Sequence, residues 1–565
     1  MEGFNKLITP YADKMDKRIP WNEYPRPSLV RDSFLCLNGQ WDFAFSREES
    51  VSDYPEKILV PFPPESALSG IERQPEAGEH LHYRRKFVLP ENMVGKRIIL
   101  HFGAVDTIVT VYLNGQQIAY HEGGYLPFQI DVTKFLCDGE NTLQLRVKDE
   151  LDISFGYGKQ TKKRGGMWYT PISGIWQTVW LEAVPERYIE SLKITTDLNG
   201  VKISVSGGDT KKKITLKSGE IFEFEGESVE FSPKEIHHWS PEYPYLYSFI
   251  LESGEDKIES YFALREIKSE VVNGIPRLTL NGKPYLFNGL LDQGYYPDGI
   301  FLPATSDGYR EDILRAKSCG FNMLRKHIKV EPEVFYNLCD RLGMVVFQDM
   351  INNSNYNFIY DTVLPTIGFK RLPDRRRTKL EREIFESQMY ATLDHLHFFP
   401  SILYYTIFNE GWGQFDADKM FDKAKAYDPT RIFDATSGWF YRKRSDVDSR
   451  HVYFKPVKLG KLSERPIVIS EFGGYSHRVD GHVYGIDEYG YSSFATREEF
   501  EAAFTRLYRE ELKPLIKGGI CGLVYTQISD VEDETNGLLT YDRAICKLDS
   551  EKCFKLMEEL YNEIK

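Results

Sequence analysis

Two carboxylates stand where apolar strands would end. ILYYTIFNEGW, residues 402–412, closes on Asn409-Glu410, and PIVISEFGGYS, residues 466–476, closes on Glu471, with glycine following within two residues in both. A carboxylate placed there loses hydration, and partners or use must offset that loss. For one acid alone, a structural salt bridge is the simpler reading. Two acids in matching contexts point to paired-carboxylate chemistry, in which one protonates a leaving oxygen while the other attacks the carbon it leaves or activates water.

Such a pair works only if the elements carrying it converge. From about residue 267 the chain alternates strand and helix. PYLFNG (284–289), NMLRKH (322–327), MVVFQDM (344–350), ILYYTIFNE, RIFDATS, HVYF, PIVISEF and GLVYTQI read as eight strands. Residues 307–319 read as a helix with Ser306 as N-cap and Gly320 as its stop. Pro332 opens a second helix that Gly343 ends, and Thr496 with Glu499 makes a capping-box pattern. Eight strands alternating with helices predict a (β/α)8 TIM barrel, whose active sites lie at the C-terminal strand ends. Glu410 ends strand four and Glu471 strand seven, so the two face each other across the mouth, an arrangement suited to glycoside hydrolysis. Residues 351–380 are a polar loop of a length usual for lids or disordered segments.

Other residues gather at the same ends. Arg325 on strand two could hold the nucleophile, and Tyr453 after strand six could donate to it, ordinary packing being the alternative for Tyr453. Asp292 and Asp349, ending strands one and three, could bind sugar hydroxyls or cap the loops that follow. Six of the eight tryptophans precede residue 240, so Trp412 and Trp439 are the barrel's two, and each follows a strand end. Indoles suit the apolar faces of sugars, and helix-to-barrel packing is the competing use.

Ahead of the barrel the rhythm is all strand. Residues 1–183 show short alternating runs such as Val109, Val111 and Leu113, an Asn114-Gly115 turn, then Ile118 and Tyr120, which fits a β-sandwich of jelly-roll type. Residues 184–266 continue in short strands and suit an immunoglobulin-like sandwich, with the proline-bearing HHWSPEYPYLY as loop or edge. The barrel takes 267–565.

Composition bounds the alternatives. The 565 residues are 41% hydrophobic and 27% charged, and 71 basic against 84 acidic residues leave a net charge of −13, which argues against nucleic acid as the main partner. No apolar stretch approaches the ~18 residues of a membrane span. The start, MEGFNKLITPYADKMDKR, lacks a signal pattern, so the expected location is cytoplasmic. Seven scattered cysteines without a CxxC pair predict thiols rather than disulfides or a zinc site. There is no P-loop, dinucleotide fingerprint, HExxH or GxSxG, so neither cofactor nor metal is expected.

LNGQWDF, HYRRKF, VYLNGQQIAYHEGGYLPF, GGMWYTPISGIWQTVWLE, HHWSPEYPYLY, LNGKPYLFNG, FNMLRKHIKVEP, FNEGWG and ISEFGG together resemble glycoside hydrolase family 2, the β-galactosidase, β-glucuronidase and β-mannosidase family, over nearly the whole chain. The resemblance implies a retaining exo-β-glycosidase on an oligosaccharide or glycoside, with Glu410 as acid/base and Glu471 as nucleophile. It implies Asn409 on the sugar 2-hydroxyl and His327 in substrate binding, although His327 follows Arg325 after one residue where the family has two. A homo-oligomer would be in keeping with the family. The chain also departs from the pattern. Leu538 stands two after Asn536, where family glucuronidases carry Asn-x-Lys to grip a sugar carboxylate, and Thr526-Gln527 replaces a frequent tryptophan. These departures favour a neutral hexoside, β-galactoside first, with a hexuronide or pentoside as alternatives and a non-catalytic carbohydrate-binding protein as a further one. In LRKHIK, Arg325 is expected on the nucleophile and Lys326 and Lys329 in solvent; in the uronide alternative a lysine, or Arg543, meets the carboxylate.

Overall fold

The structure is a computed structural model that describes residues 6–367, 369, 377–459, 463–485 and 487–564. Its N-terminal part stacks a six-stranded antiparallel sheet on a four-stranded one, around a core that includes Trp41, Tyr83, Val109, Val111 and Leu145. Asn114 and Gly115 both have positive φ, as a two-residue hairpin turn between Ile108–Leu113 and Gln116–Glu122 requires. A second sandwich pairs a three-stranded with a four-stranded sheet around Ile203, Ile214, Leu251 and Ile258. Most of HHWSPEYPYLY is irregular, and a strand begins only at its last residue, in Tyr247–Ser253.

The barrel strands are β1 (Phe287–Asp292), β2 (Met323–Lys326), β3 (Val345–Asp349), β4 (Ile402–Asn409), β5 (Ile432–Ser437), β6 (Asp448–Val452), β7 (Ile467–Gly473) and β8 (Ile520–Thr526). They form one eight-stranded sheet in the order β5-β4-β3-β2-β1-β8-β7-β6, and every pairing in it is parallel. β1, β2, β3, β4, β5, β7 and β8 are buried throughout, which is why β4, β7 and β8 read as near-continuous apolar runs rather than alternating ones. Side chains close the remaining seam: Ser437 Oγ on β5 lies 3.3 Å from Ser449 Oγ and 3.0 Å from His451 Nε2 on β6.

The first strand differs from the expected 284–289. Asn281 and Gly282 turn the chain so that Lys283–Pro284 folds back on Thr279 and Leu280, and the barrel strand starts at Phe287. Helix α1 (Asp307–Ser318) has Ser306 at its N-cap, but the Ser306 hydroxyl bonds Glu23 instead of the helix. Helix α2 (Glu333–Leu342) follows Pro332 and ends on Gly343, whose φ is 73°. The capping box of Thr496 and Glu499 opens α3 (Arg497–Arg506). Part of the 351–380 segment is helical (Ile359–Val363 and Leu364–Thr366), while 368 and 370–376 lie outside the described residues. All seven cysteines are free, and no helix among the described residues is long and apolar enough to cross a membrane.

Candidate active site

Arg325 organises the mouth. Its guanidinium is 1% exposed, donates from Nε to both Asp349 oxygens, from Nη1 to Ser470 O (2.9 Å) and Glu471 Oε1 (3.1 Å), and from Nη2 to Asn409 Oδ1 (2.9 Å). One planar cation thereby ties β2, β3, β4 and β7 together, a task that suits a fixed fork of donors.

Glu471 receives a second donor, Tyr453 Oη, 2.6 Å from Oε2. Burial alone would raise its pKa. The His451 and Arg325 charges, with smaller help from His327 and Tyr453, outweigh that and hold it down at about 2. Glu410 sits differently. Its backbone is left-handed, φ 51°, which turns the side chain off the strand end, and Oε1 lies 2.7 Å from His451 Nδ1. Gly411 follows at φ 76°, where an added Cβ would lie 2.2 Å from the Phe440 ring, so the turn admits only glycine.

Ligand atoms of Glu410, His451 and Glu471 all lie within 4.8 Å of one another. The two carboxylates are therefore close enough for one carbon to sit between them. These three side chains are also the metal-capable cluster among the described residues. The Arg325 guanidinium on Glu471 and the His451 ring on Glu410 already oppose the carboxylates, so the set suits proton transfer better than a divalent ion.

The remaining expected residues divide. His327, 2% exposed, bonds Asp349 through Nδ1 at 2.6 Å, leaving Nε2 for other partners, and burial lowers its pKa. Asn409 spends its oxygen on Arg325. Asp349 is taken by Arg325 and His327, and Asp292 by Lys326 (2.6 Å) and the Gly294 N–H, so both act as supports rather than free acceptors. Trp412 donates to Ser354 O and packs against Tyr157, Trp168 and Tyr356, which leaves it no open face to offer a sugar. Trp439 stands edge-on to the His451 ring, with a buried indole N–H that has no hydrogen-bond partner among the described residues.

The cations are corrected most. Lys326 and Lys329 are not solvated: Lys326 pairs with Asp292 and Glu331, and Lys329 with Glu331 and the carbonyls of Gly294 and Phe301. Arg543 is buried on Asp312, Tyr541 O and Tyr295 O. None is available to a substrate carboxylate.

Sequence reasoning missed His451, although a titratable side chain near the end of a barrel strand, two residues before Tyr453, was a usable signal. It also passed over Asn352, just after β3, whose buried amide has no hydrogen-bond partner among the described residues.

The model for the sugar binding domain of glycosyl hydrolases family 2 matches residues 54–185, and the model for the TIM barrel domain of the same family matches 272–522. The chain belongs to glycosyl hydrolase family 2. This family 2 chain is 26% identical over 297 residues to a β-galactosidase of Thermoanaerobacter pseudethanolicus, covering 47% of the chain and 39% of the relative. It is 27% identical over 546 residues to a β-galactosidase of Aeromonas hydrophila, covering 83% and 50%. The chain spans about half the length, or less, of the curated relatives it matches. Among solved structures, a β-glucuronidase from an uncultured Clostridium superposes with a TM-score of 0.73 at 19% identity, covering 95% of this chain and 99% of that one. A family 2 β-galacturonidase from Eisenbergiella tayi superposes at 0.66 and 18%, covering 95% and 97%. At these identities the superpositions speak for the fold.

Proposed function

We propose that this family 2 chain is a retaining exo-β-glycoside hydrolase. The observation that carries the reading is that one carboxylate oxygen of Glu410 and one of Glu471 lie within 4.8 Å of each other, with unlike surroundings for the two acids. Retaining pairs stand ~5–5.5 Å apart, and inverting pairs leave ~6.5–9.5 Å for a water. Glu471, kept ionised by Arg325 and Tyr453, attacks the anomeric carbon. Glu410 gives its proton to the departing glycosidic oxygen, and a glycosyl ester on Glu471 results. Water then attacks the same anomeric carbon, Glu410 takes the water's proton, and the bond to Glu471 breaks to release its carboxylate. His451 accompanies Glu410 through both steps. The Asn409 amide nitrogen is the group offered to the sugar 2-hydroxyl, and His327 and Trp439 line the same mouth. The seven free cysteines support a cytoplasmic location.

The names of the relatives support β-galactosides as the first sugar class. Leu538 is buried and apolar where a carboxylate-gripping lysine would stand, which supports a neutral ring. A panel of nitrophenyl β-glycosides tests the activity, and two variants test the roles. Glu471→Gln is expected to abolish turnover on every substrate. Glu410→Gln is expected to slow poor leaving groups about 10²–10⁴-fold, and nitrophenyl glycosides far less. Equal losses across leaving groups, or wild-type rates in either variant, would sink the assignment.

A further inference from the structure

The parallel ladder of the barrel stops between β5 and β6. They are the two outer strands of its sheet, and among the described residues no strand pairing joins them. At the end of this seam away from the mouth, the chain just before β6 bonds β5: Asp446 N reaches Phe433 O (3.0 Å), and Ala435 N reaches Ser445 Oγ (3.2 Å). At the mouth end the bridging residue is Ser437, the last of β5. The two acids lie on opposite sides of the seam. Glu410 follows β4, which pairs with β5, and Glu471 is on β7, which pairs with β6.

Ser437 touches both sides at once. Its carbonyl accepts the Glu410 N–H (2.9 Å) and so fixes the backbone of that acid. Its hydroxyl donates to Ser470 Oγ (3.0 Å), on the residue before Glu471. A hydroxyl has one proton, so toward His451 Nε2 (3.0 Å) Ser437 accepts, and Nε2 carries the hydrogen. The ring is thereby held with Nδ1 on Glu410 Oε1 (2.7 Å). Ser449 Oγ completes the group, 3.3 Å from Ser437 Oγ and 2.7 Å from Ser470 Oγ. The next residue makes room for the ring: a Cβ on Gly438, φ 101°, would stand 2.9 Å from His451 Nδ1. Ser437, Ser470 and His451 are all buried, so an Nε2–H deprived of the Ser437 oxygen would be an unpaired buried donor.

We propose that Ser437 is a positioning residue that clasps β5 to β6 and β7 at the mouth and so sets Glu410 against His451 and Glu471. It acts through His451 and Ser470. The inference rests on the reading of Glu410 and Glu471 as a glycosidase pair and deepens it, because the spacing of the two acids is then kept by hydroxyls across a seam that the barrel ladder does not close. Without the Ser437 hydroxyl, His451 turns away from Glu410 to pair Nε2–H elsewhere, and Glu410 loses the partner that aligns it for proton transfer.

The test compares Ser437→Ala with Ser437→Thr, which keeps a hydroxyl, on aryl β-glycosides of graded leaving-group acidity. Ser437→Ala is expected to slow kcat/KM about a hundredfold for the poorest leaving groups and under about tenfold for nitrophenyl glycosides, and Ser437→Thr to recover most of that loss. A merely structural defect would lower the active fraction and scale every substrate alike. Adding Ser437→Ala to His451→Ala should cost less than about twofold beyond His451→Ala, because the two act along one path. The crystal structure of Ser437→Ala reads the clasp apart from activity: Glu410 Oε1 and His451 Nδ1 should stand beyond ~3.2 Å. In the wild type, nitrogen-15 NMR of His451 should show hydrogen on Nε2. A leaving-group profile parallel to wild type, losses that multiply in the double variant, a 2.7 Å contact that survives Ser437→Ala, or an Nε2 without hydrogen would overturn the proposal. If the wild type turns over no glycoside, the glycosidase reading fails, and the crystal structure and NMR still decide whether Ser437 holds the pair.

Discussion

His451 Nδ1 is 2.7 Å from Glu410 and 3.5 Å from Glu471, so this one imidazole faces both acids. If it tunes proton transfer through Glu410, His451→Ala should cost poor leaving groups more than nitrophenyl glycosides and should move the pH profile. His451→Asn, which keeps an N–H near Nδ1, should recover part of the loss. A loss independent of the leaving group, with an unmoved profile, would reduce His451 to packing. Tyr453 makes a separate prediction. Glu471 is held at about 2, so its ionised form persists until the pH falls through that value. Tyr453→Phe removes a 2.6 Å hydrogen bond to the charged form, so the Glu471 pKa should rise and the acid limb of kcat/KM should shift to higher pH. An unshifted limb would mean that Arg325 and His451 hold Glu471 without help. Both carboxylates were legible in the sequence because each closes an apolar run. The saturation of Lys326 and Lys329 was not, because LRKHIK shows the charges while the carboxylate that buries both, Glu331, reads as an ordinary exposed acid a few residues on.

Among elements, the strand Val179–Val184 carries the most heavily charged buried contact of the first sandwich. Glu182 on it meets Arg26 (2.9 Å), Arg31 (3.1 Å) and His101 (3.3 Å), and Arg31 goes on to Asp256 of the second sandwich (2.7 Å). Burial would raise the Glu182 pKa, but Arg26, His101 and Arg31 outweigh it and hold the carboxyl well below its usual range. A depressed native pKa contributes stability that is complete above the ordinary carboxylate range and is lost as the pH falls through the native value. Glu182→Gln should therefore cost about 3–5 kcal/mol near neutral pH by stranding its cations. The difference in unfolding midpoint from wild type should narrow in acid, and a pH-independent difference would contradict this account of the contact. Element boundaries were legible where continuous apolar runs met turn residues, as in β4 and β7. They slipped at β1, where the Asn281-Gly282 turn folds Lys283–Pro284 back on the preceding strand.

For the whole molecule, the mouth is a joint product of a barrel and a sandwich distant in sequence. Tyr157, Tyr169 and Thr170 bond residues between 350 and 540, and no periodicity or short motif encodes such a contact. A single sequence could predict the barrel and its two acids, but not that a loop of the first sandwich forms part of the mouth. The central claim is that Glu410 and Glu471, within 4.8 Å, carry out two displacements at one carbon. Proton NMR of the first-formed sugar, recorded before mutarotation, tests it most directly. The account predicts initial release of the β-anomer from a β-glycoside, and initial release of the α-anomer would contradict it.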